Sequence, residues 1–161
     1  MAKSPEHYVD NPKFLKALTQ YRAQYQKAKK SEKENPQIPD YIGECFLKIA
    51  TNLARRPNFM NYTFREDMVS DGVENCLIYA HNFDPAKTSF TFVIHNAFVR
   101  RIQRERKHTY LRYKLIEQAV IEGDTQTTTY GGGQYHVDSA MLSFDNVQEF
   151  IRKYDDYTDK H

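Results

Sequence analysis

This chain has no tryptophan, and among its 161 residues are only two cysteines, six glycines and six prolines. Each shortage excludes something. Cys45 and Cys76 belong to no CxxC pair, which points to buried thiols in a reducing compartment and away from a disulfide frame or a zinc site. So few glycines and prolines do not serve the many turns of an all-β fold. The start, Met-Ala-Lys-Ser-Pro-Glu, lacks the apolar stretch of a signal peptide, and no run nears the ~20 apolar residues of a membrane span. These features predict a cytosolic protein with no membrane partner. There is no Gly-rich phosphate loop, no HExxH and no Gly-x-Ser-x-Gly. The six histidines are scattered without an i, i+4 pair, and nothing in sequence pairs two acids. No catalytic residue, cofactor or metal site is expected, and a binding role is favoured over an enzymatic one.

What is present is a globular core composition, 40% apolar, and a divided charge. The formal net charge is only +2, yet from Phe98 to Lys114 seven cations face the single acid Glu105. From Leu115 onward three cations meet nine acids. A basic block followed by an acidic tail suits two partners of opposite charge; two solvated helix faces would look the same in composition.

Hydrophobic spacing predicts an all-α chain, a compact bundle of about four helices with a small C-terminal helical appendage. The first helix is expected from about Pro12 to Lys30, with Asn11 as its cap and Phe14, Leu18 and Tyr21 or Tyr25 inward. Ser31 to Pro39 reads as a linker. A second helix opens near Asp40 as N-cap, turns Ile42, Cys45, Phe46, Ile49 and Leu53 to one side, and stops before Pro57. A third, Phe64 to His81, carries Phe64, Met68, Gly72, Cys76 and Tyr79 on one stripe. A fourth begins near Thr88 or Ser89, places Ile94, Phe98 and Ile102 inward, and ends near Ala119. Three consecutive glycines, Gly131 to Gly133, mark a flexible tether. A short pattern, Met141, Leu142, Phe144, Val147, Phe150 and Ile151, follows it, and Asp155 to His161 should be mobile. The expected division is a mobile N-terminus 1–11, a helical domain 12–120, a Gly/Thr-rich tether 121–139 and a C-terminal interaction helix with tail 140–161.

The informative run is Phe64 to Arg106. An acidic amphipathic helix presents Glu66, Asp67, Ser70, Asp71 and Glu74 opposite its apolar stripe. A tight turn, His81 to Pro85, leads to a helix that opens on Phe90-Thr91-Phe92. That helix continues as a polar and basic face of Asn96, Arg100, Arg104 and Lys107. Aromatics followed by arginines suit opened DNA: bases stack on rings at ~1–3 kcal/mol each while the cations hold phosphates. Taken singly, each aromatic is more often a core residue.

These motifs resemble region 2 of bacterial sigma factors. Asp67-Met68-Val69-Ser70-Asp71-Gly72 precedes Ala80-His81-Asn82-Phe83-Asp84, and Phe90 then leads into an Arg-rich helix. The string Asn96-Ala97-Phe98-Val99-Arg100-Arg101-Ile102-Gln103-Arg104-Glu105-Arg106-Lys107, with His81-Asn82-Phe83-Asp84 and Tyr8-Val9, is similar to the late-transcription sigma factors of T-even-type bacteriophages. The resemblance spans roughly Tyr8 to Lys107. It implies a late-gene specificity factor acting in the host bacterial cytoplasm. Its partners would be the RNA polymerase core, through the β′ clamp coiled coil, and an A/T-rich −10-type promoter element. Polymerase docking would fall to Asp67, Ser70, Asp71, Val73, Glu74 and Leu77. DNA contact would fall to Phe83, Lys87, Phe90, Phe92, His95, Asn96, Arg100, Arg101, Arg104 and Lys107. In that family the chain end engages the replication sliding clamp; here Phe144, Val147, Phe150 and Ile151 are the candidates, with folding back onto the core as the alternative. A phage co-activator would be a further partner. Two departures stand out: the paired Trp wedge of primary sigma factors is missing, and no second helix-turn-helix could read a −35 element. The rival readings are a polymerase-binding co-activator or anti-sigma protein that does not read DNA, and a nucleic-acid enzyme.

Overall fold

The computed structural model describes residues 8–84, 89–121 and 144–159. They form five α-helices and one 3-10 turn, with no strand among them, so the chain is all-α. The helices are α1 (Asn11–Lys30), α2 (Asp40–Ala54), α3 (Arg65–Tyr79), α4 (Phe90–Ile121) and α5 (Phe144–Thr158); the 3-10 turn is Ala80–Asn82, directly after α3. Residues 1–7 of the expected N-terminal arm, residues 122–139 of the expected tether, and Lys87 lie outside the described residues. The chain divides into two compact units, Met1–Ile102 and Gln103–His161. The division falls inside α4, whereas the Gly-rich sequence suggested a boundary near residue 120. Among the described residues no helix is long and apolar enough to cross a membrane.

Local chemistry sets the helix ends of the first unit. Asp10, not Asn11, caps α1: its carboxylate accepts the Lys13 backbone N–H at 3.2 Å, and Pro12 sits in the first turn where no amide is needed. Asp40 is the first residue of α2 and not its cap; Pro39 holds that position. Ser89 opens α4, its hydroxyl accepting the Phe92 N–H at 3.3 Å. At the far end of α1 the Lys33 N–H donates to the Ala28 carbonyl at 3.0 Å, closing a Schellman-type turn. That turn places Glu32 at φ 52, where a side chain is strained. Glu32→Gly should therefore raise stability by about 1 kcal/mol, and a thermal melt beside the parent chain measures it.

The core of this unit follows the helical stripes. Phe14, Leu18 and Tyr21 of α1, Ile42, Cys45, Phe46, Ala50, Leu53 and Ala54 of α2, Met68 and Cys76 of α3, and Phe90, Ile94 and Phe98 of α4 are all buried. Each fully buried large side chain contributes roughly 1.5–3 kcal/mol. Phe59, between α2 and α3, also turns inward and meets Phe98 edge-on at 5.2 Å. Tyr79, expected on the α3 stripe, is instead exposed. The four-residue step from Met68 through Gly72 and Cys76 lands on Ala80, which takes the inward place. Gly72 lets α3 and α4 approach. A Cβ there would stand 2.9 Å from Ile94 Cγ2 and 3.1 Å from Phe98 Cε1. Both neighbours are fully buried, so the added atom would meet rigid packing. Burial also pushes the Cys76 thiol up to about 12.

The second unit pairs the C-terminal half of α4 with α5. Tyr110 stacks on Tyr154 with ring centroids 4.4 Å apart, and Tyr113 meets Phe150 edge-on at 5.1 Å. The Tyr110 hydroxyl donates to the Asp155 carboxylate at 2.7 Å, which holds the phenol above its ordinary value. This bond lies in the stretch expected to be mobile; α5 in fact runs on to Thr158.

Candidate nucleic-acid and protein-docking surfaces

The residues assigned to docking share α3 but not one environment. Asp67, Ser70 and Glu74 are exposed, Asp71 and Val73 are half-buried, and Leu77 stands at the exposed margin. Ile78 and Tyr79 follow Leu77 and are both more than half exposed. The side of α3 that bears the carboxylates therefore continues in the exposed apolar side chains of Leu77 and Ile78, while Tyr79 is exposed on another side at the helix end. The run Leu77-Ile78-Tyr79 was visible in sequence, but helical periodicity assigned only part of it outward. An open groove of ≈ 400 Å³ between the end of α2 and the start of α3 adjoins this face, with Arg55, Arg65, Glu66 and Ser70 on its walls.

Arg101 joins the two candidate sets. Its guanidinium lies 3.0 Å from Asp67 and 3.6 Å from Asp71, and its side chain is only 18% exposed. Sequence spacing put Arg101 with the DNA contacts and the two acids with docking; the fold brings the three together. Arg100 is tied to α3 as well: it donates to the Asn75 side-chain oxygen at 3.0 Å, and Asn75 donates to the Asp71 carbonyl at 2.7 Å. Arg100 remains exposed, so its charge stays available to solvent. Asn75 carried no signal in the sequence.

The expected DNA aromatics separate by burial. Phe90 is 4% exposed and packs against Phe14, Phe46 and Phe83. It is a core residue and offers no face to a base. Phe83 is half-buried, stacked on Phe90 at 4.1 Å, and its carbonyl accepts from Arg22 at 3.0 Å. Phe92 is 59% exposed. His95 is exposed with its ring edge on Phe59 at 5.6 Å, and Asn96 is half-buried. Phe92, Asn96 and Arg100 recur at four-residue steps, which puts them on one side of α4. Lys87 lies outside the described residues.

In the second unit Arg104 and Lys107 are exposed. Val147 and Ile151, two of the four candidates at the chain end, are buried, and Phe150 is half-buried against Tyr113. In this structure those side chains serve the chain's own packing, the alternative that the sequence left open. The Phe144 side chain lies outside the described residues. Among the described residues no group of three His, Cys, Asp or Glu side chains could hold a metal ion. No protein-family model matches this chain, and no curated protein matches it.

Proposed function

We propose that this chain is a promoter-specificity factor of the phage late sigma type, binding a bacterial RNA polymerase core and a short A/T-rich promoter element. It acts by binding, without chemistry of its own. The observation that carries the reading is the pairing, within one compact unit, of an outward acidic-then-apolar α3 face and the exposed Phe92–Asn96–Arg100 side of α4. The region-2-like order of motifs from Asp67 to Lys107 supports it. The α3 face suits a partner surface that is basic with an adjoining apolar area, as expected of the β′ clamp coiled coil. The exposed side of α4 within the first unit suits an unpaired base on Phe92 with a phosphate at Arg100. A single cation there would neutralise only about one phosphate, so sequence-specific affinity of the free chain for duplex is expected to be weak. The site of action would be the host cytoplasm.

One observation favours the rival of a polymerase-binding co-activator or anti-sigma protein: Phe90 and Arg101, both expected at DNA, turn to the protein interior and to α3. Run-off transcription decides. Core polymerase with this chain should give a defined product from an A/T-box template, and neither component should do so alone. Binding to core without any product would leave the co-activator or anti-sigma reading.

A further inference from the structure

The helix α1 contains six cations and no acid. Its apolar stripe accounts for its inner side: Phe14, Leu18 and Tyr21 are buried. Arg22 is half-buried, held by the Phe83 carbonyl. Lys16, Lys27 and Lys30 share the outer side and are exposed, and none has a carboxylate partner among the described residues; Lys29, four residues after Tyr25, follows the line of the inner stripe. The exposed residues between them are neutral and polar or small: Thr19, Gln20, Ala23, Gln24 and Gln26. Leu15 is the one large apolar side chain of α1 that is exposed.

We infer that the outer face of α1 is a second, sequence-independent surface for the sugar–phosphate backbone of duplex DNA. Three considerations choose this partner over an acidic protein. Protein interfaces are anchored by buried aromatic and apolar residues and are poor in lysine, and this face has the opposite composition. Lysine, glutamine and threonine together are what phosphate and sugar oxygens accept from. Lys16 to Lys30 spans about 21 Å of helix at 1.5 Å per residue. That length fits a linear array of charges and exceeds any single phosphate group. The helix is also fixed to the segment that leads into α4. Arg22 binds the Phe83 carbonyl, Tyr25 stacks on His81 at 4.6 Å, and Phe14 packs on Phe90 at 5.9 Å. The outer face of α1 is thus held in a fixed orientation on the rest of its unit. The inference goes beyond polymerase docking and does not depend on it.

The test uses the full chain, a fluorescent ~25-bp duplex of scrambled sequence, and anisotropy titrations across a salt series. Replacing Lys16, Lys27 and Lys30 together by Gln should weaken binding at low salt at least about tenfold. It should also lower the log–log salt slope by about two to three, at ~0.9 per phosphate released. The same three positions changed to Arg should keep the parent slope, and thermal melts of both variants should match the parent. Arg100→Ala with Arg104→Ala, a separate variant, reports on α4 alone, so failure of that reading is distinguishable. An unchanged slope in the Lys→Gln variant overturns the inference. So does loss of co-elution with polymerase core while duplex binding persists, which would make α1 a protein-docking face.

Discussion

Asp67→Lys combined with Asp71→Lys should remove co-elution with the RNA polymerase core. On the proposed reading both carboxylates face cations of the partner, and breaking one such hydrogen-bonded pair at an interface costs about 2–5 kcal/mol. Reversing two should weaken association by more than about a thousandfold, since each 1.4 kcal/mol is a factor of ten. The structure adds a complication that a sequence could not supply. The same carboxylates flank Arg101 at 3.0 and 3.6 Å, so two lysines there would crowd three cations together. The Asp67 side chain is 60% exposed, so its pair is worth only about 0–1 kcal/mol. Asp71 and Arg101 are largely covered, so a cation at position 71 should lower the melting temperature measurably. A third change, Arg101→Glu, separates the two effects. It restores opposite charges inside while leaving the outward charge reversed. The triple variant should regain thermal stability without regaining polymerase. Retained co-elution in the double variant, or its return in the triple variant, would show that these acids serve the fold and not the partner.

The second large effect contrasts two phenylalanines that the sequence grouped together. Phe90→Ala should cost about 3–5 kcal/mol of stability, because a side chain packed among Phe14, Phe46 and Phe83 leaves a cavity that its neighbours cannot close. For a unit of this size the thermal midpoint should fall by more than about 10 °C. Phe92→Ala should stay within about 0.5 kcal/mol of the parent, as its ring is 59% exposed. Its cost should emerge in binding. Loss of a stacking platform, worth ~1–3 kcal/mol per base, predicts about a fivefold to hundredfold weaker fluorescence titration with an A/T-rich single-stranded oligonucleotide. Phe92→Tyr keeps the platform and should keep the affinity. Equal melting curves for Phe90→Ala and the parent would contradict the packing described; undiminished oligonucleotide binding by Phe92→Ala would remove Phe92 from the DNA surface.

The helices were legible because burial repeats with the helical period, and Phe14-Leu18-Tyr21 or Met68-Gly72-Cys76 carry that repeat in the letters themselves. Ends were less legible where neighbouring residues compete for one role. Asp10 and Asn11 can both cap, and only the bond from the Lys13 N–H separates them. Phe90 and Phe92 are two residues apart, which on a helix means nearly opposite sides, yet composition treats them alike. The placement of Arg101 was not legible, since its carboxylates sit on another helix some thirty residues earlier and only tertiary packing brings them together. The chain end was open for the same reason: Val147, Phe150 and Ile151 form an apolar stripe that could equally have covered a partner.

The two buried thiols have a chemical consequence. With the Cys76 thiol raised to about 12 by burial, it stays protonated at neutral pH, and its side chain is fully buried. Cys45 is buried in α2 and likewise raised, chiefly by burial. Electrophiles and oxidants that attack accessible thiols should pass both by for as long as α2 and α3 stay packed. The chain thus holds a silent clock, one sulfur on each helix, that begins to run only when its bundle comes apart.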